Sequence, residues 1–197
     1  SPKRKKLNVQ DSEPKSTKAK TTTRKRTQAK SKPEPAKIVA EIPIEEQHNV
    51  IFKPNEGPQT EFLAAGEREV LYGGSAGGGK SYAMLADPLR YMGHPSFSGL
   101  LLRHTTEELR ELIFKSQEMY PKIWPGIKWS ERKMQWTAPS GARLWMSYLD
   151  KEDDVLRYQG LAFSWIGFDE LTQWPSPFAW NYMRSRLRST ATDLPVY

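Results

Sequence analysis

A glycine-rich stretch at residues 72–81 has the composition of a phosphate-binding loop. It reads Tyr-Gly-Gly-Ser-Ala-Gly-Gly-Gly-Lys-Ser. Glycines let successive backbone N–H groups turn toward one anion. In such a loop the Lys80 ammonium is expected to reach the outer phosphates, and the Ser81 hydroxyl is suited to bind a magnesium ion. The sequence therefore predicts a nucleotide site built from these residues: Gly74, Ser75, Ala76, Gly77, Gly78, Gly79, Lys80 and Ser81.

A second motif follows the nearly unbroken apolar run at residues 161–168, which is typical of a strand buried on both faces. This run ends in Asp169 and Glu170. Asp169 is predicted to position magnesium, and Glu170 to act as the general base that activates water. An acidic pair can also simply cap a following helix. The phosphate loop upstream favours the catalytic interpretation, in which Lys80 also serves in catalysis.

The elements around these motifs predict an α/β fold with a mainly parallel sheet flanked by helices. Strands are expected at residues 68–72 and 98–103. A helix should begin after Ser81, with Pro88 limiting its straightness, and another should begin at Thr105, where Glu108 completes a capping box. Residues 57–63 are expected to lead into a short helical segment that ends at Gly66. The remaining expected segments are a loop at 121–132, a β-hairpin insertion at 133–138 and 142–149, and helices at 150–158 and 177–187.

Several polar residues allow more than one role. Gln59 lies upstream of the loop, where it either contacts adenine through its amide or is a polar residue at a helix start. Arg103 ends a predicted strand and either senses phosphate, contacts DNA or forms a salt bridge to the next helix, the role we favour. Three arginines lie close together in the sequence, and their possible roles are DNA contact, an arginine finger or a solvated face: Arg184, Arg186 and Arg188.

Charge divides the chain of 197 residues into two parts. Residues 1–37 contain 13 Lys and Arg against 3 Asp and Glu, which leaves 17 basic and 20 acidic residues for 38–197. We predict a disordered basic tail at 1–37, which either contacts nucleic acid or aids solubility, and one folded domain at 38–197. The absence of cysteine excludes disulfides and thiol catalysis. No signal peptide or membrane-spanning run is visible.

Taken together, these motifs resemble the large subunit of tailed-phage terminases. The resemblance covers about residues 50–197 and includes the phosphate loop, the Gln59 segment, Leu101–Arg103, residues 158–160, residues 165–174 and residues 184–188. It implies a P-loop NTPase of the additional-strand (ASCE) type that uses ATP and Mg²⁺ to drive double-stranded DNA into a prohead. Implied partners are the portal protein, the terminase small subunit and further copies in a ring on the portal. The implied location is the host cell cytoplasm, with no membrane contact.

The chain departs from this family in two ways. The loop lacks the arginine that many members carry within it, so any arginine finger must come from elsewhere. The sequence also stops where a further strand between the loop strand and the Asp169 strand is expected, and the nuclease domain is absent. We therefore expect a partial large subunit that is a poor ATPase alone. The alternatives are another nucleic-acid-dependent ATPase such as a helicase, or a nucleotide- or DNA-binding module without turnover.

Overall fold

The computed structural model describes residues 52–74 and 79–197. The expected basic tail at 1–37, the start of the expected 38–197 domain and loop residues 75–78 lie outside this part. The helices are α1 (Pro58–Ala64), α2 (Lys80–Ala86), α3 (Thr106–Ile123) and α4 (Phe178–Arg184). The strands are β1 (Ser98–Arg103), β2 (Lys128–Ser130), β3 (Gln135–Thr137), β4 (Arg143–Tyr148) and β5 (Trp165–Phe168).

The five strands form one mixed sheet in the order β2-β3-β4-β1-β5. β1 lies between β4 and β5 and is parallel to both, whereas β2, β3 and β4 are joined by antiparallel pairs. The predicted α/β class is confirmed. The predicted hairpin is present as β3 and β4, but it is not a separate insertion, because β4 is also the parallel neighbour of β1.

β1 is an interior strand of the sheet, and its leucines are buried on both faces. Leu101 packs in one apolar cluster with Leu109 and Leu112 of α3. Leu100 and Leu102 point to the other face and pack in a second cluster that includes residues of α4. All three leucines of β1 are fully buried, as alternation along a doubly covered strand requires. Because β1 and β5 are parallel neighbours, their carboxyl ends lie at the same edge of the sheet.

α3 begins where the sequence predicts and ends later than predicted. The Thr105 hydroxyl accepts the backbone N–H of Glu108 at 3.3 Å, which is the expected N-terminal cap. The helix then continues through Pro121 to Ile123, although residues 121–132 were expected to be a loop. Tertiary contacts outweigh the proline here, because the buried Tyr120 hydroxyl donates to the Leu85 carbonyl at 2.8 Å. Residues 128–130 of the same expected loop form β2.

The expected strand at residues 68–72 is wrong: within the described chain this segment pairs with no other strand. A strand needs a partner for its backbone groups. Here a groove of about 510 Å³ lies between residues 68–74 and β5, the last strand in the sheet order on that side. Tyr197 begins to pair with that edge, donating to Ser164 O and accepting from Ile166 N, each at 3.0 Å. Just before β5, Phe163 forms an isolated parallel bridge with Leu187.

Three other expected elements are shorter or tighter than predicted. α2 ends at Ala86 and continues as a 3₁₀ turn at Asp87–Tyr91, which fits the constraint imposed by Pro88. The expected helix at 150–158 is a 3₁₀ helix at Glu152–Tyr158. The apolar run at 161–168 forms a strand only from Trp165. Its first two residues are exposed, and Phe163 makes an isolated bridge with Leu187.

Across residues 52–74 and 79–197, no helix combines the length and hydrophobicity that crossing a lipid bilayer requires.

Candidate functional site

The start of α2 carries the described part of the glycine-rich loop. Gly79 precedes the helix in the left-handed region at φ 73°, a conformation that favours glycine. Lys80 is half-buried, and its ammonium donates to the Gly74 carbonyl at 3.0 Å, across the base of the loop. Residues 75–78 lie outside the described chain, so their expected phosphate contacts stay predictions. The described residues place Lys80 and Ser81 together at one end of the helix.

Ser81 and Asp169 meet although 88 residues separate them in sequence. The Ser81 hydroxyl donates to Asp169 Oδ2 at 3.3 Å. Asp169 follows β5 directly and is 3% exposed, and its backbone N–H donates to the Leu102 carbonyl of β1 at 2.9 Å. The sheet therefore fixes the position of the carboxylate, and α2 brings the hydroxyl to it.

Glu170 occupies a strained position next to this pair. Its backbone lies in the left-handed region at φ 56° and ψ 48°, which is uncommon for a residue with a side chain. Such strain is found preferentially at functional sites and persists only where the surrounding structure imposes it. Glu170 is half-buried and lines the same groove as Lys80 and Asp169. The structure thus brings all three expected catalytic residues to one groove.

Both the nitrogen and the oxygen of the buried Gln59 amide form hydrogen bonds with backbone groups of the chain. Its nitrogen donates to the Gly79 carbonyl at 2.8 Å, and its oxygen accepts the backbone N–H of Asn55 at 2.6 Å. A Cβ added at Gly79 would lie 2.7 Å from the amide nitrogen of Gln59, which is too close. Gln59 therefore positions the end of the glycine loop. Its expected contact with adenine stays a prediction.

Arg103 contacts two acidic residues at the carboxyl end of β1. Its guanidinium forms an ion pair with Asp169 through Nη1 and a longer one with Glu108, in which Nε and Oε2 are 3.5 Å apart. The favoured salt bridge to α3 is confirmed. The pairing of Arg103 with Asp169 was not predicted, since no local pattern indicates a contact between residues 66 positions apart.

A buried aspartate beneath the groove was also missed. Asp87 accepts the indole N–H of Trp165 at 2.8 Å and pairs with Arg90, whose guanidinium also donates to the Leu63 carbonyl at 2.6 Å. Burial raises the pKa of the Asp87 carboxyl, although Trp165 and Arg90 oppose this effect. These bonds connect α1, the 3₁₀ turn that follows α2, and β5. The position of Asp87 before Pro88 was the only local signal.

The three arginines near α4 have different environments. Arg184 pairs with Glu69 at 2.5 Å, which links α4 to the segment before the glycine loop. Arg186 lies over the ring of Tyr182, 5.4 Å from its centroid. Arg188 is exposed. A salt-bridged or solvated surface therefore describes these residues in this structure.

The donors at this site match the preferences of magnesium. Mg²⁺ binds through oxygen and typically takes one or two protein ligands together with water and phosphate oxygens. Ser81 and Asp169 supply one hydroxyl and one carboxylate whose oxygens already lie 3.3 Å apart. Among the described residues, no group of three or more His, Cys, Asp or Glu side chains forms an all-protein metal site. The residues present therefore fit a magnesium ion that is held jointly with a nucleotide.

Comparison with known proteins identifies the family of this sequence. Residues 71–196 match the family described as terminase large subunit, T4likevirus-type, N-terminal. No curated protein and no solved structure matches the chain. The matched segment begins just before the glycine loop and includes Lys80, Ser81, Asp169 and Glu170. It spans well over half of the chain, which therefore belongs to the terminase large-subunit family, N-terminal part, with a role in phage DNA packaging.

Proposed function

We propose that this chain is the ATP-hydrolysing motor part of the terminase large subunit and drives double-stranded DNA into the prohead. The observation that carries the proposal is the convergence of Lys80, Ser81 and Asp169 at one end of the sheet. Phosphate-binding and acidic motifs that are distant in sequence form one site in nucleotide hydrolases of this kind. Family membership supplies the DNA-packaging context.

Each residue has a distinct role in this proposal. Lys80 moves from the Gly74 carbonyl to the outer phosphates of ATP as a positive charge, and the loop amides hold the rest of the phosphate chain. Ser81 and Asp169 hold magnesium, which when bound neutralises charge on the phosphates. Glu170 accepts a proton from the attacking water. Its strained backbone fixes the carboxylate relative to β5.

The proposed partners follow from the family rather than from a surface of this chain. They are double-stranded DNA, the portal protein and the terminase small subunit, with several copies of the motor forming a ring on the portal. The proposed location is the cytoplasm of the infected host cell. We include the additional-strand P-loop fold in the proposal because the groove beside β5 separates that strand from residues 68–74.

A Glu170→Gln change tests the proposal because it removes the base and retains the shape of the side chain. We expect single-turnover hydrolysis of ATP to fall by at least about 100-fold, the usual scale of general-base catalysis. The affinity for Mg²⁺-ATP should change by less than about threefold, because Glu170 contributes to chemistry rather than to binding.

The matched control is Glu107→Gln, which makes the same change at an exposed position in the first turn of α3. Its hydrolysis rate should equal that of the unmodified chain. An unaltered rate in Glu170→Gln would exclude Glu170 as the base. If the unmodified chain binds ATP but gives no turnover above background, a binding module would describe it better than a motor. Strand separation of duplex DNA would favour a helicase, since a packaging motor translocates intact duplex.

A further inference from the structure

Arg103 lies between two carboxylates, one of which is the expected magnesium ligand. It is the last residue of β1, and its side chain is only 11% exposed. Nη1 of its guanidinium hydrogen-bonds to Asp169 Oδ2, the same oxygen that accepts the Ser81 hydroxyl. A buried guanidinium keeps its charge and requires an anionic partner. The expected magnesium carboxylate is therefore already paired with a cation of the chain itself.

A magnesium ion held by Asp169 would compete with Arg103 for this oxygen. Asp169 is 3% exposed, so little water can reach its carboxylate to screen two cations from each other. Two positive charges that share one carboxylate at close range repel each other, most strongly where solvent is excluded. Binding of magnesium by Asp169 therefore weakens the Asp169–Arg103 ion pair and leaves the guanidinium in need of another anion.

Glu108 is positioned to accept the displaced guanidinium. Its Oε2 lies 3.5 Å from Arg103 Nε, and both atoms are buried without a hydrogen bond. The other carboxylate oxygen of Glu108 accepts Gln173 Nε2 at 3.0 Å. Burial by itself raises the pKa of Glu108, but the Gln173 hydrogen bond and the Arg103 charge outweigh burial and lower it. Glu108 is thus a second anion within reach of the same arginine.

We propose that Arg103 is a positioning residue with two partners. It holds Asp169 while the cation site is empty, and it transfers to Glu108 when Mg²⁺-ATP binds. Gln173 lies in the 3₁₀ turn that follows Glu170, so Glu108 also contacts the turn next to the general base. The inference rests on the proposed function, since it assumes that Asp169 binds magnesium.

The test measures the apparent affinity for Mg²⁺ at a fixed, saturating concentration of a non-hydrolysable ATP analogue. Arg103→Gln removes the competing cation, so the affinity should rise by roughly tenfold. Glu108→Gln removes the alternative partner, so Arg103 stays on Asp169 and the affinity should fall by roughly threefold or more. Affinity for the same analogue in EDTA should change little in either variant.

The double variant separates transfer from simple electrostatics. If Glu108 acts through Arg103, Glu108→Gln has no further effect once Arg103→Gln is present, so the double variant should match Arg103→Gln alone. Additive effects would overturn the proposal, because they indicate two independent charges acting at a distance. A fall in Mg²⁺ affinity in Arg103→Gln would overturn it as well.

The controls make the same chemical changes at exposed positions of α3. Arg110→Gln and Glu107→Gln alter charge by the same amount and should leave Mg²⁺ affinity unchanged. If Arg103→Gln does not fold, Glu108→Gln alone tests the proposal. A Mg²⁺ affinity of Glu108→Gln equal to that of Glu107→Gln would overturn it. Failure of the unmodified chain to bind Mg²⁺ with the analogue would contradict the proposed function itself, which is a distinct result.

Discussion

Gln59 fixes the end of the glycine loop through one hydrogen bond, from its amide nitrogen to the Gly79 carbonyl. A Gln59→Glu change replaces this donor with a carboxylate oxygen that faces the carbonyl. We expect nucleotide affinity to fall by about tenfold, because an unsatisfied buried polar group costs about 1–3 kcal/mol. Fluorescence titration with ATP and with GTP measures the effect.

The comparison of the two nucleotides separates the possible roles of Gln59. Equal losses for ATP and GTP indicate an effect through Gly79 alone, whereas a loss confined to ATP indicates contact with adenine. Glu61→Gln, at an exposed position of α1, is the control and should bind both nucleotides as the unmodified chain does. Unchanged affinity in Gln59→Glu would contradict both roles.

Asp87 makes folding stability depend on pH in an unusual direction. Burial raises its pKa above the ordinary value of 3.8, so the folded chain binds this proton more tightly than the unfolded chain. The resulting stability is fully present below pH 3.8 and is lost as pH rises through the folded pKa. Relative to Asp87→Asn, the unmodified chain should therefore lose free energy of unfolding as pH rises above 3.8, as measured by urea denaturation.

Glu111 provides a control of opposite sign. The hydrogen bond and charge of Lys115 hold the pKa of Glu111 below its ordinary 4.5. Its contribution is present above pH 4.5 and is lost as pH falls through the folded pKa. Relative to Glu111→Gln, the unmodified chain should lose stability toward acid. The same pH trend in both comparisons would contradict the burial argument for Asp87.

Residue identity predicted which side chains do chemistry at the site better than it predicted the contacts between them. Lys80, Ser81 and Asp169 stand out in the sequence because loop and strand patterns mark them locally. The ion pair between Arg103 and Asp169 depends on β1 and β5 being adjacent. No spacing within one segment encodes that adjacency, so the pair emerges only from the folded sheet.

Among the elements, β5 and α2 approach each other closely at Gly167. A Cβ added there would lie 2.3 Å from the ring of Trp165 and 2.6 Å from the sulfur of Met84 on α2. Gly167→Ala should therefore lower the free energy of unfolding by about 1–3 kcal/mol, since overpacking forces side chains and backbone to shift. Urea denaturation measures this loss.

The same substitution should weaken binding of Mg²⁺-ATP, because α2 carries Ser81 toward Asp169. Gly66→Ala is the matched control, since a Cβ at Gly66 meets nothing within 4 Å. Its stability should change by no more than about 0.5 kcal/mol. Equal stability of the two variants would contradict the close packing of α2 on β5.

The sequence predicted a strand correctly where both faces of the strand are covered by apolar residues. It did not predict which segments pair with one another in the sheet. The leucines of β1 mark a buried strand from sequence alone. Residues 68–72 have a similar apolar pattern, yet a groove rather than a paired strand lies beside them. β4 also shows the limit of local patterns: its hairpin with β3 was visible, but its parallel pairing with β1 was not.

For the whole molecule, charge predicts how DNA binding depends on salt. Residues 1–37 carry 13 Lys and Arg, whereas the remainder has more acidic than basic residues. If the tail contacts DNA, deleting it should reduce the slope of log affinity against log salt concentration by about 3 or more, since each neutralised phosphate contributes about 0.9. Titration of labelled duplex DNA at several salt concentrations measures the slope.

The control keeps residues 1–37 and replaces their Lys and Arg with Gln, which separates charge from length. It should behave like the deletion. Identical slopes with and without the charged tail would assign DNA binding to other residues.

The magnesium dependence of ATP binding is the most direct measurement of whether the two motifs form one site. Calorimetric titration in Mg²⁺ and in EDTA should show tighter binding with Mg²⁺ for the unmodified chain. Asp169→Asn should abolish that difference and retain the affinity measured in EDTA, because the carboxylate next to Ser81 acts on the cation. An equal gain from Mg²⁺ in Asp169→Asn would contradict a shared magnesium–ATP site.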